Sequence, residues 1–120
     1  MTEAKTFVDN WSKAWREHDG HAYAALLHDG CVLRNPIATT TREHLPQFVE
    51  SLLRVWQDHS MVATSWAHQG DDVLIEWVAT GRLPKGEIEL RGADRFTLRD
   101  GKVSDAVSYF DPRRFLELTS

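Results

Sequence analysis

The hydrophobic period of this chain changes once, near residue 61, and that change restricts the folds open to it. Apolar residues recur at helical spacing before it and alternate in four consecutive runs after it. Residues 3–18, EAKTFVDNWSKAWREH, put Phe7, Val8, Trp11, Ala14 and Trp15 on one stripe, which predicts a helix. Asp19-Gly20 ends it, and a short second helix runs from His21 to His28 with Tyr23, Ala24 and Leu27 inward. Cys31–Arg34 reads as a short strand before Asn35-Pro36. Thr40 and Glu43 have capping-box spacing for a third helix running to about His59. Pro46, tolerated only near a first turn, makes His44 or an irregular start the alternative.

The four alternating runs are MVATSWAHQ (61–69), VLIEWVAT (73–80), EIELRGADRFTLR (87–99) and KVSDAVSYF (102–110). A turn joins the first pair, a looser loop at 81–86 the second, and Asp100-Gly101 suits a tight hairpin with positive backbone angles. Residues 111–120 form a tail expected to pack across a neighbouring element. Helix, helix, strand, helix and an antiparallel meander predict an α+β fold. A strongly bent sheet folded around the helices buries both apolar surfaces at once.

At 120 residues the length predicts one domain, 1–120. A formal net charge of -4 argues against nucleic acid as a constitutive partner, since backbone binding needs concentrated positive charge. No stretch approaches a transmembrane length, and the start lacks a signal peptide's apolar core, so no membrane partner and a cytoplasmic location are expected. A lone Cys31 excludes an intrachain disulfide and a cysteine metal cluster. The histidines at 18, 21, 28, 44, 59 and 68 follow no metal-ligand spacing, and no metal is expected. Glycine-rich nucleotide loops and a G-x-S-x-G elbow are absent, so neither an organic cofactor nor a covalent nucleophile is expected.

Alternation within 87–98 groups Ile88, Leu90, Gly92, Asp94, Phe96 and Leu98 on one face. Asp94 thus falls on an apolar face, where desolvation raises a carboxyl's pKa and suits it to acid or oxyanion-donor work. The competing reading is a carboxylate at a sheet edge, or one satisfied by an arginine. Glu76 shares a face with Leu74 and Val78, and Asp105 with Val103, Val107 and Tyr109; both are weaker candidates than Asp94. The tryptophans at 11, 15, 56, 66 and 77 suit a core first, and an aromatic-lined cavity second.

The element order, DGCVLRNP after two helices, and GADRFTLRDGKVSDAVSYFD resemble the SnoaL-like branch of the NTF2-like superfamily over nearly the whole chain. The resemblance implies a cone-shaped α+β fold, with a curved, mostly antiparallel sheet wrapped around three N-terminal helices and a deep apolar cavity. It also implies a homodimer. Against ketosteroid isomerases, Asp94 matches the oxyanion-binding aspartic acid, Asn35 stands where the general base stands, and Trp11 where a first-helix tyrosine stands. An amide cannot shuttle a proton, so isomerisation by that route is not expected. Limonene-type epoxide hydrolases carry an aspartate where Ser108 stands, and an arginine and aspartate in a strand similar to 73–80 that VLIEWVAT lacks. Polyketide cyclases of this group are similar in style, their chemistry resting on a cavity aspartic acid.

The expectation is a cofactor-independent enzyme performing cyclisation, isomerisation or dehydration on a hydrophobic small molecule. Asp94 is its catalytic residue, while Trp11, Asn35, Trp56, Trp66 and Trp77 contact the substrate. The alternatives are a non-catalytic hydrophobic-ligand-binding module and a dimeric interaction domain of the same fold.

Overall fold

The computed structural model describes residues 2–120. Helix α1 (Thr2–Arg16) buries Ala4, Phe7, Val8, Trp11, Ala14 and Trp15, the stripe its periodicity predicts. Asp19 caps α2 (Gly20–Ala24) by accepting a hydrogen bond from the Ala22 N–H at 2.9 Å. That helix ends before His28, because the chain then runs alongside the last strand, where Leu27 bridges Val103. Strands β1 (Val32–Arg34) and β2 (Thr39–Thr41) follow, the latter unmarked by any alternation. A 3-10 turn at Arg42–His44 leads into α3 (Leu45–Val55), with His44 at the cap and Pro46 in the first turn.

Helix α3 stops at Val55, short of His59. Trp56 is extended, and its indole N–H donates to the Thr80 carbonyl at 2.9 Å. Strand pairing therefore takes over at Gln57, opposite Arg82, earlier than the pattern predicts. The remaining strands are β3 (Gln57–Gln69), β4 (Asp72–Leu83), β5 (Gly86–Arg99) and β6 (Lys102–Phe110). They form one six-stranded sheet ordered β2-β1-β6-β5-β4-β3. Its pairings are antiparallel except β1 with β6. Asp100 and Gly101 both take positive φ in the β5–β6 turn, as the tight hairpin requires.

Two bulges alter the side-chain faces. On β6 the register slips at Ser104, so Val103 opposes Leu98 while Asp105 opposes Thr97. Val103 is consequently buried, and Asp105 turns to the other face with Val107 and Tyr109, where it pairs with Arg95 and Arg34, each at 3.0 Å. On β3 the slip at Thr64 places Trp66 opposite Ile75 on the helix side. Bulges bend and twist their strands, and the sheet curls around α1 and α3. The core fills the concave side: Phe7 of α1 meets Phe96 of β5 edge-on at 4.8 Å. The expected tail is a helix, α4 (Arg113–Thr119), docked by buried Leu118 and by the Lys85 N–H donating to the Leu118 carbonyl at 3.0 Å. Among the described residues, no helix is long and apolar enough to cross a membrane.

Candidate functional site

A cavity of about 140 Å³ opens between the concave sheet face, α2 and α3, and Phe115 of α4 covers part of it. Its walls are mostly aromatic and aliphatic, and the polar groups among them include Asp94, Tyr23, His59, Ser108 and Asn35. Arg34, Ile37 and Ala38 line it and are themselves exposed, which puts the mouth at the loop after β1. A dry cavity of roughly 150 Å³ holds one benzene ring. The enclosed part thus takes about a ring, and a longer ligand extends through the mouth.

Asp94 is 6% exposed and lies on β5, between β4 and β6 rather than at an edge. Its neighbour Arg95 points to the opposite face, toward Asp105, so neither competing sequence reading describes the carboxyl. Gly92 explains its partner. Trp77 on β4 stands opposite Gly92, and a Cβ there would lie 2.5 Å from the indole. Without that carbon the indole lies across β5, and its N–H donates to Asp94 Oδ1 at 2.9 Å. Ser108 stands opposite Asp94 on β6. Burial raises the Asp94 pKa from the ordinary 3.8 to about 6, against the stabilising hydrogen bonds of Ser108 and Trp77. Both partners are neutral, so most of the desolvation cost persists.

Two cavity groups were not among the expected site residues. Tyr23, read only as inward-facing, has its phenol pushed well above the usual 10.0 by burial and then by the charge of Asp94. It therefore stays a protonated donor near that carboxyl. His59 is 5% exposed, and burial followed by the nearby His18 lowers its pKa from 6.5 to about 4. Its expected place at a helix end concealed it. Had β3 been traced from residue 57, alternation through Met61 would have put His59 on the inner face.

Among the expected contacts, Asn35, Trp56 and Trp77 line the cavity with Asp94. The Asn35 side-chain oxygen accepts hydrogen bonds from the Ile37 and Ala38 N–H groups, both at 2.8 Å. It closes the mouth loop and leaves its amide N–H groups for a ligand. Trp11 and Trp66 lie outside the lining. Trp11 is wholly buried in the core, and Trp15, one turn further along α1, forms the wall in its place. Trp66 reaches the concave side but beyond the cavity, 38% exposed and stacked on His68. No group of three or more His, Cys, Asp or Glu among the described residues is placed to hold a metal ion.

A family model described as a SnoaL-like domain matches residues 8–106. The chain belongs to the SnoaL-like domain family. No curated protein matches this SnoaL-like chain in sequence. Solved structures do match. An NTF2-like protein of unknown function from Burkholderia pseudomallei superposes with a TM-score of 0.89 at 12% identity, over 100% of this chain and 99% of that one. A hypothetical protein with a ketosteroid isomerase-like fold from Catenulispora acidiphila, in complex with trimethylamine, gives 0.83 at 19% identity, over 94% and 91%. TerC, co-crystallised with polyporic acid, gives 0.83 at 18% identity, over 97% of each chain. At such identities the likeness concerns the NTF2-like fold.

Asp94 and His59 pull stability in opposite directions with pH. Asp94 titrates higher folded than unfolded, so its contribution falls as pH rises from about 4 to about 6. His59 titrates lower folded than unfolded, so its contribution rises as pH climbs from about 4 to 6.5. Each shift corresponds to roughly 3 kcal/mol at 1.36 kcal/mol per pKa unit, and the windows overlap. Urea unfolding of the wild type is expected to show little net slope from these two groups between pH 4 and 6. Asp94→Asn removes one of the opposing contributions, and its stability relative to wild type is expected to increase by about 2–3 kcal/mol across that window. A constant difference between the two proteins contradicts the assignment.

Proposed function

We propose that this SnoaL-like domain catalyses cofactor-independent proton transfer on an enolisable hydrophobic small molecule, leading to isomerisation, cyclisation or dehydration. The observation that carries the reading is a carboxyl enclosed in an apolar cavity, with neutral hydrogen-bond partners and a pKa of about 6. A general base works best with a pKa near the operating pH. Above pH 6 Asp94 is mostly ionised and takes a proton from the carbon beside a carbonyl. The C–H electron pair moves into the new C=C bond, and the carbonyl oxygen takes the charge. Protonated Asp94 then returns the proton at another carbon, or to a departing hydroxyl. Tyr23, held protonated, is an O–H donor close to that exchange. The apolar walls exclude water and hold the substrate flat, which restricts its reacting geometries.

TerC co-crystallised with polyporic acid and the Catenulispora protein in complex with trimethylamine support a small organic ligand, and the ligand class only. The homodimer implied by the resemblance belongs to the same proposal. Exposed Val62, Leu74 and Tyr109 on the convex sheet face support it, and sedimentation velocity checks it, a monomer at high concentration counting against. One observation favours binding without chemistry: the Asn35 oxygen is engaged in its own loop and no second carboxylate lines the cavity among the described residues.

The two readings separate on 1-indanone in D2O, with α-hydrogen exchange followed by proton NMR. Catalysis predicts accelerated exchange that Asp94→Asn lowers by about 100-fold or more, with Kd changed less than about threefold. Binding with no acceleration, or acceleration indifferent to Asp94→Asn, overturns the proposal.

A further inference from the structure

On the concave face of the sheet, Gly92 of β5 stands between Trp77 of β4 and Phe110 of β6. The two aromatic rings meet edge-on beside it, with centres 5.9 Å apart. A glycine in a strand interior often marks a close approach of another group, and here the indole fills the space a Cβ would take. Such a carbon would lie 2.5 Å from the indole ring and 2.7 Å from the Tyr109 carbonyl oxygen. Trp77 is buried, and the bare strand beneath it and Phe110 beside it hold the ring in place.

From that place the indole N–H donates to Asp94 Oδ1 at 2.9 Å. Asp94 lies two residues beyond Gly92 on the same face, the diagonal neighbour of Trp77 across the strand pair. The two partners of the carboxyl differ in kind. Ser108 has a hydroxyl that turns, donating to a carboxylate or accepting from an acid. An indole N–H only donates, and this one is held facing Oδ1. It stays on Oδ1 whether Asp94 is charged or neutral. The neutral acid therefore keeps its carbonyl-type oxygen, the better acceptor, against the indole and carries its proton on Oδ2.

We propose that Trp77 is a positioning residue for the proton transfer: it pins Oδ1, makes Oδ2 the oxygen that takes and returns the substrate proton, and so fixes how Asp94 meets the reacting carbon. The inference rests on the cavity-chemistry reading above and deepens it. Orientation matters because the reacting atoms must be aligned, and a misplacement of about 1 Å costs up to about 100-fold in rate. A partner that persists in both protonation states needs no rearrangement during the exchange. Across the cavity, burial keeps Tyr23 of α2 protonated and His59 of β3 neutral near pH 6. Cys31 stays a thiol there, and Arg34 at the mouth is paired with Asp105 at 3.0 Å. A transition near pH 6 at the Trp77 indole therefore follows the carboxyl it touches.

The first measurement follows the Trp77 indole N–H by proton–nitrogen NMR through a pH titration of the wild type, assigned through its contact with Phe110. The expected result is a downfield step as the carboxylate forms, with the Asp94 midpoint of about 6, and no such step in Asp94→Asn. A signal that stays flat while Asp94 titrates overturns the proposal, and this reading needs no tryptophan variant to fold. The second measurement compares α-hydrogen exchange of 1-indanone in D2O for wild type and Trp77→Phe across pH. Losing the donor is expected to raise the Asp94 midpoint by about one pH unit. On the high-pH plateau, where Asp94 is ionised in both proteins, the exchange rate is expected to fall by about tenfold or more, with Kd changed less than about threefold. A plateau equal to or above that of wild type means that Trp77 sets acidity only; positioning then fails while the proposed function stands. A wild type that accelerates no exchange removes both, whatever the indole does.

Discussion

An ionisable carboxyl enclosed by rings, with no cation to balance it, is the constraint on which the rest of this structure turns. A charge so placed costs several kcal/mol to desolvate and is retained only where hydrogen bonds offset part of that cost. Here the offset comes from Ser108 and Trp77, and Trp77 reaches Asp94 because Gly92 leaves the strand surface bare. Asp94, Trp77 and Gly92 lie on two adjacent strands within a few positions of register. Adding a methyl group at Gly92 would move the indole, take one of its two partners from the carboxyl and reshape the cavity wall in one step.

The polar groups around the cavity are tuned in complementary directions. Burial pushes Asp94 up into a range where it exchanges a proton near neutrality, holds Tyr23 protonated, and holds His59 neutral. In the proposed enolisation the charge moves from the carboxylate to an oxygen and back, and a protonated Tyr23 near the carboxyl suits that exchange. On the convex face, by contrast, Asp105 pairs with Arg95 and Arg34. Such pairs contribute little individually, and the first of them holds the Arg95 guanidinium on the face opposite Asp94.

Much of this was legible in the sequence, in places where one period or one dipeptide carries the information. The α1 stripe, the meander, the Asp100-Gly101 turn and the inward face of Asp94 follow from local pattern alone. The errors arise where tertiary contacts override pattern. Trp56 leaves α3 to donate to Thr80, which starts β3 early and turns His59 from a helix end into a wall residue. The slips at Thr64 and Ser104 reverse side-chain faces, and nothing in alternation announces a single inserted residue. Trp11 and Trp15 share one stripe, and only the rotation of α1 against the sheet decides which of them meets the cavity. Strand β2 and helix α4 are too short to register a period.

The most direct test of this account is the carboxyl ionisation of Asp94, followed by 13C NMR through a pH titration, with Asp94→Asn used to assign the resonance. The account predicts a midpoint near 6, set by burial against two neutral hydrogen-bond partners. A midpoint near the ordinary value of 3.8 would mean that water or a cation reaches the group, and the cavity would then hold no proton-transferring acid.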